Sequence, residues 1–108
     1  MKRRNHKFHP LERDIKKLVK DWLDVHGIFN WPLTQGLGSF PGLPDRQALY
    51  RGEVINIECK VPGGKLSPAQ ITFSKKMLAG GVHYIKVSCL EDLEAFFGER
   101  CHKNEHKN

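Results

Sequence analysis

The chain has 108 residues, 39% of them hydrophobic, which fits one domain with one core. No apolar run approaches the roughly 18 residues that a membrane span needs. The basic N-terminus lacks the apolar stretch of a secretory signal. Three cysteines without regular spacing favour reduced thiols over a disulfide framework. We therefore expect a cytoplasmic protein that does not contact a membrane.

The net charge of +6 favours an acidic partner such as nucleic acid. Much of this excess lies in an N-terminal arm, residues 1–8, whose cationic side chains we expect to contact DNA. These side chains are Lys2, Arg3, Arg4 and Lys7. The alternative is that the arm is only a solvated tail.

The first predicted element is a helix over residues 10–26, because Pro10 suits a first helical turn and Gly27 suits a helix end. Its apolar side chains recur at helical spacing. They are Leu11, Ile15, Leu18, Val19, Trp22 and Leu23. A short strand over 28–33 follows. The stretch 34–44, rich in Gly and Pro, is predicted to be a loop, and a loop this long in a small domain is often functional.

Two strands, 45–50 and 53–61, are predicted next, with Arg51 and Gly52 forming a tight hairpin turn between them. The pattern of the remaining residues predicts a helix over 68–79, a strand over 82–88 and a final helix over 91–97. The order α-β-β-β-α-β-α indicates an α+β fold, in which helices flank a mixed β-sheet.

Polar residues in the second hairpin strand suggest a reactive site. Because side chains alternate along a strand, Glu58 and Lys60 share one face, about 6.6 Å apart. The two-residue turn would place Asp45 directly opposite Glu58, and two carboxylates this close need a cation between them. Oxygen ligands suit Mg²⁺ or Mn²⁺, and Lys60 could orient a water or offset charge. The alternative is a solvated strand face with an ordinary Glu–Lys pair.

Three short motifs occur in order along the chain. They are Gly42-Leu43-Pro44-Asp45, Ile57-Glu58-Cys59-Lys60 and Gly64-Lys65-Leu66-Ser67-Pro68-Ala69-Gln70. Together they resemble the VRR-NUC (virus-type replication-repair nuclease) family of the PD-(D/E)xK superfamily, over residues 10–97. The resemblance implies a restriction-endonuclease-like nuclease domain at residues 9–98, preceded by the basic arm and followed by a polar tail at 99–108.

The resemblance also implies roles for particular residues. The matching catalytic residues are Glu12, Asp45, Glu58, Lys60 and Gln70. The implied ligands of Mg²⁺ or Mn²⁺ are Asp45, Glu58, the backbone carbonyl of Cys59, and Glu12 through a water. The Cys59 thiol is then a buried spacer and not a nucleophile.

Three assignments rest on weaker patterns. Asp14 could replace Glu12, because their helix carries no distinctive motif. Gln70 would face the sheet only if the helix face that it shares with Phe73 packs inward. Lys65, beside a glycine turn, could bind a DNA phosphate or be an exposed loop lysine.

The resemblance implies a metal-dependent DNA endonuclease, bacterial or phage-encoded. Single-domain members of the family are similar to Holliday-junction resolvases and act as homodimers, so a four-way junction is the preferred expectation for the substrate. The alternatives are a nuclease for flaps or other branched DNA, and a basic DNA-binding module without catalytic activity. Carboxylates that face DNA without a metal would repel phosphate, which speaks against the binding module.

Overall fold

A computed structural model describes residues 9–98. The arm, with Lys2, Arg3, Arg4 and Lys7, and the polar tail lie outside the described residues, so the structure does not bear on their predicted roles. Within residues 9–98 no helix is long and apolar enough to cross a membrane.

The described residues form a four-stranded mixed sheet flanked by helices, in the predicted order. The elements are α1 (Glu12–Val25), β1 (Phe29–Pro32), β2 (Arg46–Tyr50), β3 (Glu53–Cys59), α2 (Pro68–Ala79), β4 (His83–Val87) and α3 (Leu90–Leu93). The prediction of a single final helix over 91–97 was wrong, because α3 is short and a π-helical turn, Glu94–Gly98, follows it. The α+β class and the mixed sheet are confirmed.

Local capping determines where the two long helices begin. The Leu11 amide donates a hydrogen bond of 2.8 Å to the Asp14 carboxylate, so α1 starts at Glu12 and not at Pro10. Ser67 caps α2 by accepting a 3.2 Å hydrogen bond from the Gln70 amide. Of the two carboxylates in the first turn of α1, Asp14 therefore caps the helix, and Glu12 is the one available to a site.

The hairpin between β2 and β3 has the predicted register. Arg51 and Gly52 both have positive φ, 55° and 83°, as a two-residue type I′ turn requires. Tyr50 therefore pairs with Glu53, and the antiparallel ladder continues to its last pair, Arg46 with Ile57. Asp45 and Lys60 lie one residue beyond the ends of their strands, so both predicted strands were slightly too long.

The sheet order is β1-β2-β3-β4, with β3 and β4 parallel and the other neighbours antiparallel. One face packs against α1 and the C-terminal helical turns to form the hydrophobic core. Its buried residues are Ile15, Val19, Leu23, Ile28, Ala48, Ile55, Ile57, Cys59, Val87, Leu93 and Phe97. The helix α2 lies over the opposite face, where the Phe73 ring contacts that of Tyr84.

This second face carries polar side chains that are nevertheless buried. Trp31 Nε1 donates to Gln47 Oε1 at 3.1 Å, Gln47 Nε2 donates to Asn56 Oδ1 at 2.8 Å, and Asn56 donates to the His83 carbonyl at 3.0 Å. Asn56 and Glu58 are both inaccessible to solvent. The alternative of a solvated charged strand face is therefore wrong for β3.

Candidate active site

Asp45 is fixed at the point where the long loop enters β2. Its Oδ2 accepts a 2.8 Å hydrogen bond from the Cys59 backbone amide on the neighbouring strand. Beyond the last residue pair of the β2–β3 ladder, the Asp45 carboxylate thus accepts the hydrogen bond from β3 that a backbone carbonyl would accept within the ladder. This contact holds Asp45 beside Glu58, as the hairpin register predicts.

The loop before Asp45 packs directly on the first turn of α2. Gly42 has a φ of 82°, and a Cβ atom at this position would overlap the Ala69 carbonyl. Only glycine allows both the positive φ and this close approach. The conformation brings the loop that carries Asp45 against the helix turn that carries Gln70.

Glu58 is the most deeply buried carboxylate of the site, with 1% of its surface exposed. Its Oε2 accepts a 2.8 Å hydrogen bond from Gln70 Nε2 and lies 3.8 Å from Lys60 Nζ. Its Oε1 is buried and has no hydrogen-bond partner among residues 9–98. Buried polar atoms are seldom left in this state, so a partner is expected here, either a bound cation or a proton shared with Asp45.

Gln70 is oriented by its role at the start of α2. Its Oε1 accepts a 2.8 Å hydrogen bond from the Ser67 amide, which leaves the Nε2 amide group to donate to Glu58. The helix face that bears Gln70 does pack inward, because the neighbouring Phe73 is buried. One side chain thus caps a helix and positions a carboxylate.

Burial raises the pKa of Glu58 to about 7, and the nearby Asp45 carboxylate adds to this effect. Lys60 opposes the shift, and Glu12 contributes to it more weakly. In the metal-free protein near neutral pH, Glu58 therefore exchanges readily between its protonated and ionised forms. A cation at this position would favour the ionised form.

Glu12, Asp45 and Glu58 form an acidic cluster. One carboxylate oxygen of each lies within 4.8 Å of the other two. Three carboxylates at this spacing could hold a hard divalent cation such as Mg²⁺ or Mn²⁺. The helix α1 supplies the first residue and the hairpin supplies the other two.

The cluster lies in a cleft of about 640 Å³ between α1 and the sheet. Cys59 and Gln70 also line it, and one wall carries three lysines of α1: Lys16, Lys17 and Lys20. These lysines were not among the site residues predicted from the sequence. Their spacing from Glu12, four, five and eight residues, could have indicated them, because residues four apart on a helix are neighbours.

The Cys59 thiol and the Tyr84 hydroxyl are close to the cluster but remain protonated. Burial raises the pKa of the Cys59 thiol to about 12, with smaller contributions from Asp45 and Glu58. Burial also raises the pKa of Tyr84, and Glu58 adds to this shift. The Cys59 thiol, only 1% exposed in the core, is thus unsuited to nucleophilic attack.

The structure brings five of the predicted site residues together: Glu12, Asp45, Glu58, Lys60 and Gln70. Lys65 is exposed in the segment between β3 and α2 and is not among the residues that line the cleft. Its predicted contact with a phosphate stays a prediction. No protein-family model matches the chain, and no curated protein is significantly similar to it.

Proposed function

We propose that the protein is a divalent-metal-dependent DNA endonuclease with a restriction-endonuclease-like fold, of the VRR-NUC type. The observation that carries the proposal is Glu58 Oε1, a buried carboxylate oxygen without a hydrogen-bond partner in residues 9–98. Glu58 also belongs to a cluster with two further carboxylates, and its Oε2 lies 3.8 Å from Lys60 Nζ. A purely structural carboxylate would be expected to have both oxygens satisfied.

The chemistry assigned to the site is hydrolysis of a phosphodiester. Glu12, Asp45 and Glu58 would hold Mg²⁺ or Mn²⁺, together with the Cys59 carbonyl, and such an ion polarises a phosphoryl oxygen and acidifies water. Lys60, held next to Glu58, orients the attacking water or offsets the charge that develops on the phosphate. Gln70 keeps Glu58 in position through its 2.8 Å hydrogen bond.

The charge of the cleft suits a polyanionic substrate. The lysines of α1 form a cationic wall above the acidic cluster. Lys17 and Lys20 form ion pairs of 2.6 Å with Asp21 and 2.7 Å with Asp24, which offset part of this positive charge in the DNA-free protein. A DNA backbone lying along this wall would place one phosphate over the carboxylates and its neighbours against the lysines.

A four-way DNA junction is the proposed substrate, cut by a homodimer. Each chain supplies one acidic cluster within residues 9–98, so symmetric cutting of two strands calls for two chains related by a twofold axis. An apolar patch supports such an association. Phe29, Leu49 and Val54 are exposed cross-strand neighbours on β1, β2 and β3.

From the sequence, no second apolar stripe marks a dimer interface, and the candidate interface residues are Phe96 and Phe97 in the last helix or Trp31 and Phe40 near the long loop. The patch is spread over three strands, so no single helix or strand reveals it. Phe97, one candidate interface residue, is fully buried in the core, and Phe96 packs against that core. Trp31, another candidate, contacts Phe29 in a tilted arrangement, with ring centroids 5.1 Å apart, and borders the patch.

We expect the wild-type protein to be a dimer of about twice 12.4 kDa by light scattering at micromolar concentration. With Mg²⁺ it should make paired, symmetric nicks in labelled four-way junctions and cut linear duplex little. Leu49→Lys should yield a monomer, since it places a charge in the middle of the apolar patch. Val25→Lys, at an exposed apolar position on α1, is the matched control and should stay dimeric.

Other outcomes separate the alternatives. A monomeric protein that cuts flaps better than junctions would contradict the junction assignment and keep the nuclease. Binding to every DNA without any cleavage would favour the non-catalytic module.

A further inference from the structure

Lys16 forms an ion pair with one of the carboxylate oxygens expected to hold the metal ion. Its Nζ lies 3.5 Å from Asp45 Oδ1, while Asp45 Oδ2 is engaged by the Cys59 amide. Both oxygens of Asp45 thus have partners, one a fixed backbone group and the other a side-chain cation. A metal ion bound at Oδ1 would therefore lie close to the Lys16 ammonium group.

Lys16 is free to move away from Asp45. Its side chain is 52% exposed, and a lysine has four rotatable side-chain bonds. The other two lysines on this wall, Lys17 and Lys20, have carboxylate partners of their own on α1. Among the lysines of α1 that line the cleft, Lys16 is therefore the one that pairs with an expected metal ligand.

Simple electrostatics favours an exchange of partners. In the metal-free protein, Lys16 offsets part of the negative charge of the cluster. A divalent cation on the same carboxylate would repel the ammonium group at a distance of a few ångströms. A DNA phosphate entering the cleft would then offer Lys16 a new anionic partner.

We propose that Lys16 neutralises Asp45 in the metal-free protein and moves to a substrate phosphate when a divalent cation binds. The proposal rests on the proposed function, because it takes the metal site and the phosphate from it. It adds a residue that couples metal binding to DNA binding. Lys16 is in this sense a positioning and substrate-binding residue.

The first test measures Mn²⁺ binding without DNA, by calorimetry at pH 8 and 0.15 M salt. Exposed ion pairs contribute roughly 0.2–1 kcal/mol, so Lys16→Gln should bind Mn²⁺ about 1.4- to fivefold more tightly than wild type. Lys17→Gln, the neighbouring lysine on the same wall, should match wild type. An unchanged affinity in Lys16→Gln, or an equal gain in Lys17→Gln, would overturn the proposal.

The second test measures DNA affinity with Ca²⁺ as the cation, over a range of salt concentrations. Loss of one phosphate contact should lower the log–log salt slope by about 0.9 in Lys16→Gln. An unchanged slope would show that Lys16 does not contact a DNA phosphate and would overturn this part of the proposal. Wild-type protein that binds Mn²⁺ but no DNA would overturn the nuclease function, and the Mn²⁺ comparison would still decide whether Lys16 competes with the cation.

Discussion

Lys60→Ala and Asp45→Asn are each expected to slow single-turnover DNA cleavage by a factor on the order of 10²–10³ or more, as removal of a group that stabilises transition-state charge does in other enzymes. Lys60 lies 3.8 Å from the buried Glu58 carboxylate, and Asp45 belongs to the acidic cluster. Neither change removes the cationic wall of the cleft. DNA affinity should therefore stay similar for Lys60→Ala and rise for Asp45→Asn, which removes a charge that repels phosphate.

Cleavage rate and DNA affinity should be measured on the same preparations. Lys75→Ala provides the matched control, because Lys75 is an exposed lysine of α2 outside the residues that line the cleft. Its cleavage rate should equal that of wild type. A normal rate for Lys60→Ala would show that Lys60 has no catalytic role, and a parallel loss of DNA affinity would assign it to binding.

Glu58→Gln should stabilise the metal-free protein at pH 8. The pKa of Glu58 is raised from 4.5 to about 7, so the folded state binds more protons than the unfolded state between these values. The stability that this group contributes is fully present below pH 4.5 and is lost as the pH rises through 7. One pKa unit corresponds to about 1.4 kcal/mol, and we expect the variant to gain about 1–3 kcal/mol at pH 8.

Urea unfolding from pH 4 to 9 in EDTA would measure this difference. The gain of Glu58→Gln over wild type should be near zero at the acidic end and level off above pH 7. Glu94→Gln, at an exposed carboxylate, should follow wild type throughout. With saturating Mn²⁺ the order should reverse, because the ion stabilises only the protein that binds it. A pH-independent difference would mean that Glu58 does not titrate as its burial requires.

The hairpin explains why half of the site could be predicted from the sequence. A two-residue turn at Arg51-Gly52 fixes every cross-strand pair of β2 and β3. The position of Asp45 beside Glu58 follows from that register alone. The same register also pairs Gln47 with Asn56, so the hydrogen-bonded polar side chains on this face of the sheet could have been predicted in the same way.

The contribution of α1 could not be predicted in the same way. The apolar stripe of the helix indicates which side faces the core, but not how far the helix is shifted along the sheet. That shift decides whether Glu12 reaches the cluster and whether Lys16 reaches Asp45. The resemblance placed Glu12 in the site by analogy, whereas the contact of Lys16 depends on packing that no local pattern encodes.

The most direct test of the central claim is cleavage of junction DNA by protein stripped of metal with EDTA and then supplied with one cation at a time. We expect no cleavage in EDTA, full recovery with Mg²⁺ or Mn²⁺, and binding without efficient turnover in Ca²⁺. An Asp45→Asn/Glu58→Gln double variant, purified in the same way, should remain inactive with every cation and so controls for contaminating nucleases. Undiminished cleavage in EDTA, or equal activity in the double variant, would contradict the claim that these carboxylates hold a catalytic metal ion.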